Sequence, residues 1–125
     1  MSKTVLIVDD EDDARGIAVL ALRMKTDWTL LQANSGTKAL EIAAQKHPDL
    51  ILLDMMMPEM DGRLTLKHLK KSSATQTIPV ILVTAKVQPL DQAGIEPDEV
   101  VAVFTKPFRP LTLAEHIKEV LDWQD

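Results

Sequence analysis

Residues 48–62 read PDLILLDMMMPEMDG, and the fold turns on them. Leu50, Ile51, Leu52 and Leu53 are consecutive aliphatic residues. A half-buried strand would alternate apolar with polar side chains, and a helix would need a longer periodic stretch. The run therefore predicts a short strand buried on both faces. It stops on Asp54. A carboxylate at the carboxyl end of an interior strand lies where a parallel sheet opens its crevice, and Pro58 with Asp61-Gly62 predicts a turn before the chain resumes as a helix. Taken alone, the stretch also fits an Asp54 that only caps a turn, with the methionines after it filling the core.

Two further strand ends separate these readings. Val5 to Val8 is a second apolar run and stops on Asp9-Asp10, with Glu11, Asp12 and Asp13 beyond it. Val101 to Phe104 is a third, and stops on Thr105-Lys106-Pro107-Phe108. As parallel neighbours, these strands would gather the carboxylates of Asp9, Asp10 and Asp54 and the Lys106 ammonium in one crevice. Carboxylates packed so closely raise one another's pKa, so the cluster calls for a bound cation. Oxygen donors select a hard ion. Mg²⁺ fits two or three carboxylates completed by a backbone carbonyl and waters, whereas Zn²⁺ would want clustered histidines or the cysteine that this chain lacks. The acidic run at 9–13 says little by itself, because a helix N-terminus also favours acids.

VDDE at 8–11, PDLILLD followed by M-P-x-M-D-G, Thr84-Ala85 after an apolar strand, and Lys106-Pro107-Phe108 resemble a receiver domain of the two-component response-regulator family. The resemblance covers nearly the whole chain in order and approximate spacing. It implies an α/β fold, a doubly wound five-stranded parallel sheet in the flavodoxin-like order 2-1-3-4-5 with five helices. In that order the first and third strands flank the topological switch point, where open parallel sheets bind ligands. By the same resemblance Asp54 is the phosphoacceptor, assisted by Lys106 and Thr84. Asp9, Asp10, Asp54 and the backbone carbonyl of Met56 form the Mg²⁺ site, with Asp10 a direct ligand and Asp9 acting through water. A carboxylate can attack phosphorus without a general base, and the transfer then needs positioning and charge neutralisation rather than further covalent chemistry. The donor implied is a phosphohistidine on a histidine kinase or histidine phosphotransfer protein. The downstream protein is not implied. The resemblance, with the need to aim Lys106 into the crevice, also predicts a cis Lys106-Pro107 bond.

Length and composition agree. With 125 residues the chain is expected to be one domain, residues 1–125, a stand-alone receiver without an output domain that promotes its own phosphorylation and dephosphorylation rather than turning over a separate substrate. The net charge is −5 and the basic residues are scattered, which argues against direct nucleic-acid binding. Met1-Ser2-Lys3 leads into a strand rather than a signal-peptide core, and no apolar run reaches membrane length, so a cytoplasmic protein without membrane insertion is expected.

Elsewhere strand and helix alternate. Ile17, Leu20, Ala21 and Met24 predict a helix that lays this stripe on the sheet. Thr29 to Ala33 predicts the second strand. A helix from about Thr37 to Lys46 is expected to pack through Leu40, Ala43 and Ala44, and one from Gly62 to Lys71 through Leu66 and Leu69. Pro79 to Val83 predicts a strand ending on Thr84. Lys86 to Glu99 predicts only a short or irregular helix, because Pro89, Gly94 and Pro97 interrupt it. In the last helix Leu113, Ile117, Val120 and Leu121 share a face, and its start lies open between Pro110 and a Thr112 to Glu115 capping box. His47, His68 and His116 are spread over three predicted helices and carry no expected role.

Other functions fit less well. Nucleotide binding would need a glycine-rich turn where residues 8–16 offer acids. A haloacid-dehalogenase-like phosphatase would place a second Asp where Met56 stands. A receiver-like docking module independent of phosphorylation is the alternative, and it gives no physical reason for the set Asp9, Asp10, Asp54, Thr84 and Lys106. One departure from the resemblance bears on output: many receivers carry Tyr or Phe three residues before the lysine, and here Val103 stands there. Phe104 is one place too late, on the opposite side of the sheet. Switching is therefore expected in the backbone around residues 85–110, and within it more in 85–99 than in the fifth strand.

Overall fold

The computed structural model describes residues 2–85, 89–90 and 92–124. Every apolar run becomes a strand: β1 (Thr4–Val8), β2 (Thr29–Ala33), β3 (Leu50–Asp54), β4 (Val80–Thr84) and β5 (Ala102–Thr105). They form one parallel sheet in the order β2-β1-β3-β4-β5. The central strand β3 is buried along its whole length, as its unbroken aliphatic sequence requires. Between the strands lie α1 (Asp12–Lys25), α2 (Gly36–Lys46), α3 (Gly62–Lys71) and, after β5, α4 (Leu113–Leu121).

Side chains alternate between the two faces of the sheet and build two core layers. Leu6, Val8, Ile51, Leu53, Val80 and Leu82 meet Ala39 and Ala43 of α2 and Leu66 and Leu69 of α3. On the other face Val5, Ile7, Leu52, Ile81 and Val83 meet Ala18 and Leu22 of α1 and Leu113 and Ile117 of α4. The register aligns the strand ends. Val8 lies opposite Leu53, Asp54 opposite Val83, and Thr84 opposite Thr105, so the residues that follow β1, β3 and β5 all leave the sheet at one edge.

The structure corrects three sequence expectations. Four α-helices form among the described residues, not five: from 86 to 99 the described residues make turns and a 3₁₀ turn at Pro97–Glu99, while 86–88 and 91 lie outside the described residues. Gly94 at φ 75° and Pro97 at the 3₁₀ start are the breaks responsible. In α1 the buried stripe is Ala18, Val19, Ala21 and Leu22, whereas Ile17, Leu20 and Met24 face outward. Ala39 and Ala43 pack α2 while Ala44 is exposed. As the expected order 2-1-3-4-5 implies, β5 is an edge strand, only half covered, with Val101 and Val103 exposed. The start of the last helix is also resolved: Pro110 opens a 3₁₀ turn, α4 begins at Leu113, and Thr112 makes no side-chain capping bond.

Candidate functional site

Asp9 follows β1 directly and is held from three sides. Its backbone N–H donates to Ala33 O at 3.1 Å, extending the β2 pairing by one residue. Its carboxylate Oδ1 accepts from the Glu11 N–H at 2.9 Å, and its carbonyl accepts from Arg15 Nη1 at 2.8 Å. The buried carboxylate thus satisfies a backbone donor at the entry of α1, where Glu11, the N-cap residue, makes no capping bond of its own.

Asp54 ends β3 with 3 % of its surface exposed. The chain beyond it is pinned by Met55 N–H to Val83 O at 2.9 Å and by Gly62 N–H to Met55 O at 3.0 Å. Glu59 takes a left-handed conformation in this loop, φ 64°, and Asp61 caps α3 by accepting from Leu64 N–H at 2.9 Å. Position 62 has no room for a side chain, because a Cβ there would strike the Asp54 carbonyl oxygen. The glycine of the M-P-x-M-D-G stretch is thus a requirement of close approach.

Lys106 follows β5 directly. Its N–H donates to Thr84 O at 2.8 Å, and the Lys106-Pro107 bond is cis, as the sequence predicts. Its Nζ lies 3.0 Å from Asp9 Oδ2 and 3.3 Å from Asp54 Oδ1. Asp10 is the most solvent-facing of the three acids, and one carboxylate oxygen from each of Asp9, Asp10 and Asp54 falls within 4.8 Å of the others.

These contacts set the protonation of the site. Burial, with the Asp9 charge added to it, pushes the Asp54 carboxyl up from 3.8 to about 6, against the pull of Lys106. Burial alone would lower the Lys106 ammonium, but its hydrogen bond to Asp9 and the charges of Asp54 and Asp9 hold it above its ordinary value. One ammonium therefore stands between two buried acids with a third beside them. Three carboxylates converging on a point, with no imidazole or thiolate among them, are the donor set of a hard cation, and Mg²⁺ fits.

Asp9, Asp10, Asp54 and Lys106, all named from the sequence, are thus brought together. Thr84 sits at the end of β4, one residue beyond Val83, the partner of Asp54 across the sheet. Met56 has a largely exposed side chain, and its N–H donates to Asp54 Oδ1 at 3.4 Å. Arg15 was missed. Its spacing of three from Asp12 marks a pairing across one helical turn, but its bond to the Asp9 carbonyl has no signature in sequence. Also missed was the exposed apolar face of α1, since helical spacing alone does not say which of two stripes turns inward.

Residues 5–118 match the family profile of the response regulator receiver domain. The phosphate regulon transcriptional regulatory protein PhoB of Pseudomonas aeruginosa is 38 % identical over 123 residues, 97 % of this chain and 52 % of that protein. The chain thus spans about half the length of PhoB. The polar-differentiation response regulator DivK of Brucella ovis is 35 % identical over 129 aligned positions, covering 97 % of this chain and 98 % of DivK. Among solved structures, the chemotaxis protein CheY4 of Vibrio cholerae superposes with a TM-score of 0.86 at 26 % identity, over 96 % of this chain and 99 % of that one. No helix among the described residues is long and apolar enough to cross a membrane. Sheet order, crevice and sequence agree with these matches, and the chain belongs to the family of response regulator receiver domains.

Proposed function

We propose that this receiver accepts a phosphoryl group on Asp54 from a phosphohistidine of a histidine kinase or phosphotransfer protein, with Mg²⁺ held by Asp9, Asp10, Asp54 and the Met56 carbonyl. The observation that carries the reading is the buried Asp54 carboxylate, flanked by Lys106 at 3.3 Å and by two further acids whose oxygens come within 4.8 Å of its own. Bound Mg²⁺ supplies positive charge for the phosphoryl oxygens. An Asp54 oxygen attacks phosphorus, the new O–P bond forms as the N–P bond to the donor imidazole breaks, and the imidazole leaves with its electron pair. The Lys106 ammonium neutralises charge on an equatorial oxygen, and the Thr84 hydroxyl donates to another. Water later cleaves the acyl phosphate and restores Asp54.

The donor would dock beside the crevice. Ile17, Leu20 and Met24 of α1 and Leu111 form an exposed apolar face, and a groove of about 320 Å³ runs from Ile17 past Pro107 and Phe108 to Lys106. A helical protein that lays an apolar face there would bring its phosphohistidine to the crevice mouth. The test is incubation of wild type and Asp54→Asn with a small phosphodonor and Mg²⁺. Wild type should gain one phosphoryl mass that hydroxylamine removes, and the Asn variant none. Labelling of the Asn variant to the same extent overturns the assignment. Leu20→Ala should leave that labelling intact and slow transfer from a phosphohistidine protein.

A further inference from the structure

Arg15 lies six residues beyond Asp9, on the first turns of α1, with its side chain only 15 % exposed. One guanidinium makes three bonds: Nη1 to the Asp9 carbonyl at 2.8 Å, Nη2 to Asp12 Oδ1 at 2.7 Å, and Nε to Gln32 Oε1 at 3.1 Å. The acceptors belong to the β1–α1 loop, the helix start and the neighbouring strand β2. The ion pair does not account for the placement, since the Asp12 side chain is 85 % exposed and such solvent-facing pairs are weak.

The Asp9 carbonyl and the Asp10 nitrogen share one planar peptide unit. A hydrogen bond that fixes this carbonyl fixes the rotation of the plane, and with it the direction in which Asp10 leaves the backbone. The Asp9 side of the loop is already held by its bonds to Ala33 and Glu11. Among the described residues no side chain or backbone group hydrogen-bonds or ion-pairs with the Asp10 carboxylate, so backbone orientation is what aims it at the crevice.

We infer that Arg15 is a positioning residue for the metal site: by clamping the Asp9 carbonyl against Asp12 and Gln32, it holds the Asp9-Asp10 peptide so that the acids converge before the cation arrives. The inference rests on the reading of Asp9, Asp10 and Asp54 as the Mg²⁺ site. A lysine has one nitrogen and cannot span three acceptors in the plane of a guanidinium, so Arg15→Lys should be only a partial replacement.

Calorimetric titration with Mg²⁺ is the test, on wild type, Arg15→Ala, Arg15→Lys and Thr75→Val. Thr75 donates a buried hydrogen bond to Leu69 O at 2.7 Å, remote from the loop, so its variant reports general destabilisation alone. Arg15→Ala should bind Mg²⁺ about tenfold more weakly and Arg15→Lys should fall between, as for other groups that orient metal ligands. Thr75→Val should bind as wild type does. Labelling of Asp54 in Arg15→Ala should recover its maximal rate at raised Mg²⁺. In metal-free protein the Glu11 amide, bonded to Asp9 Oδ1, should exchange faster in Arg15→Ala and not in Thr75→Val. Mg²⁺ affinity of Arg15→Ala equal to wild type, or an equal loss in Thr75→Val, overturns the role of Arg15. Wild type that binds no Mg²⁺ overturns the proposed site and this inference with it.

Discussion

Gly62 and Asp54 are in backbone contact: the space for a Cβ at position 62 is filled by the Asp54 carbonyl oxygen and by Met55 Cα, 2.7 Å away. Two opposing effects meet in Gly62→Ala. Alanine in the first turn of α3 would gain about 0.5–1 kcal/mol over glycine in helix propensity. The collision is with backbone that cannot step aside, and overpacking of this kind costs about 1–3 kcal/mol. The second effect wins. Chemical denaturation should show a net loss of stability, and labelling of Asp54 should slow because the 55–61 loop has to shift. An alanine variant as stable as wild type would mean that the loop yields freely.

Asp54→Asn should stabilise the metal-free protein near neutral pH. The unfolded Asp54 carboxyl releases its proton near 3.8 and the folded one near 6. Between these values the folded state binds more protons than the unfolded state, so this group's contribution to stability falls as pH rises from about 4 to about 6 and stays low above. Asparagine keeps the shape and removes the buried charge, while Lys106 retains Asp9 at 3.0 Å. Calorimetry in a chelator should therefore give the variant the higher melting temperature at pH 7.5, with the difference shrinking toward pH 4. No advantage at pH 7.5 would mean that Lys106 neutralises Asp54 fully.

The same raised carboxyl should make Mg²⁺ binding pH-dependent. Mg²⁺ takes the deprotonated acid, so binding below pH 6 must displace a proton from Asp54. The apparent affinity should be level above about pH 7 and fall by about tenfold per pH unit well below 6, where one proton competes with the ion. Mg²⁺ at neutral pH should also raise the melting temperature of wild type more than that of Asp54→Asn. A titration series from pH 5 to 8 checks both the sign and the midpoint.

What the sequence disclosed follows from which interactions are local. The runs at 5–8, 50–53 and 80–83 announce interior strands because both faces are buried, so no register choice is hidden. The strand ends carry Asp9, Asp10, Asp54, Thr84 and Lys106, and a parallel sheet leaves them one edge on which to meet. The α1 stripe was misjudged for a physical reason. Ile17, Leu20 and Met24 repeat at helical spacing as regularly as Ala18, Ala21 and Leu22 do, and only the crowded packing against Val5 and Ile7 selects the smaller set. The edge position of β5 follows from the order 2-1-3-4-5 that the resemblance implies, whereas the apolar residues Val101 and Val103 give no hint of their exposure. The clamp on the Asp9 carbonyl joins three segments and leaves no periodic trace.

The 92–99 stretch, though it forms no α-helix, is not loose: Ile95 is buried, and Leu90 and Ala93 pack on the α2–α3 side of the core. It is tied to α3 by Lys67 Nζ to Glu99 Oε1 at 3.1 Å, and the same Glu99 oxygen accepts from Glu96 N–H at 2.8 Å. Burial opposes the Glu99 charge, but Glu96 N–H and Lys67 outweigh it and hold the carboxyl below its usual range, so the tie is intact at neutral pH. Val103, opposite Leu82 in the register, is exposed already, and its branched side chain is too small and stiff to move a large surface from solvent to core. A phosphoryl group on Asp54 would add acceptor oxygens and nearly two charges one residue along the sheet from Thr84, at the start of the β4–β5 connection, so the strain of activation should enter the chain upstream of Glu99. Amide exchange with and without a Mg²⁺-dependent phosphoryl mimic should therefore change more in 92–99 than in Ala102–Thr105. Lys67→Ala should raise exchange in 95–99 without the mimic, because it cuts the tie to α3. Changes confined to Ala102–Thr105, with 92–99 silent in both experiments, would place the switch in the edge strand and give Val103 a role that its size argues against.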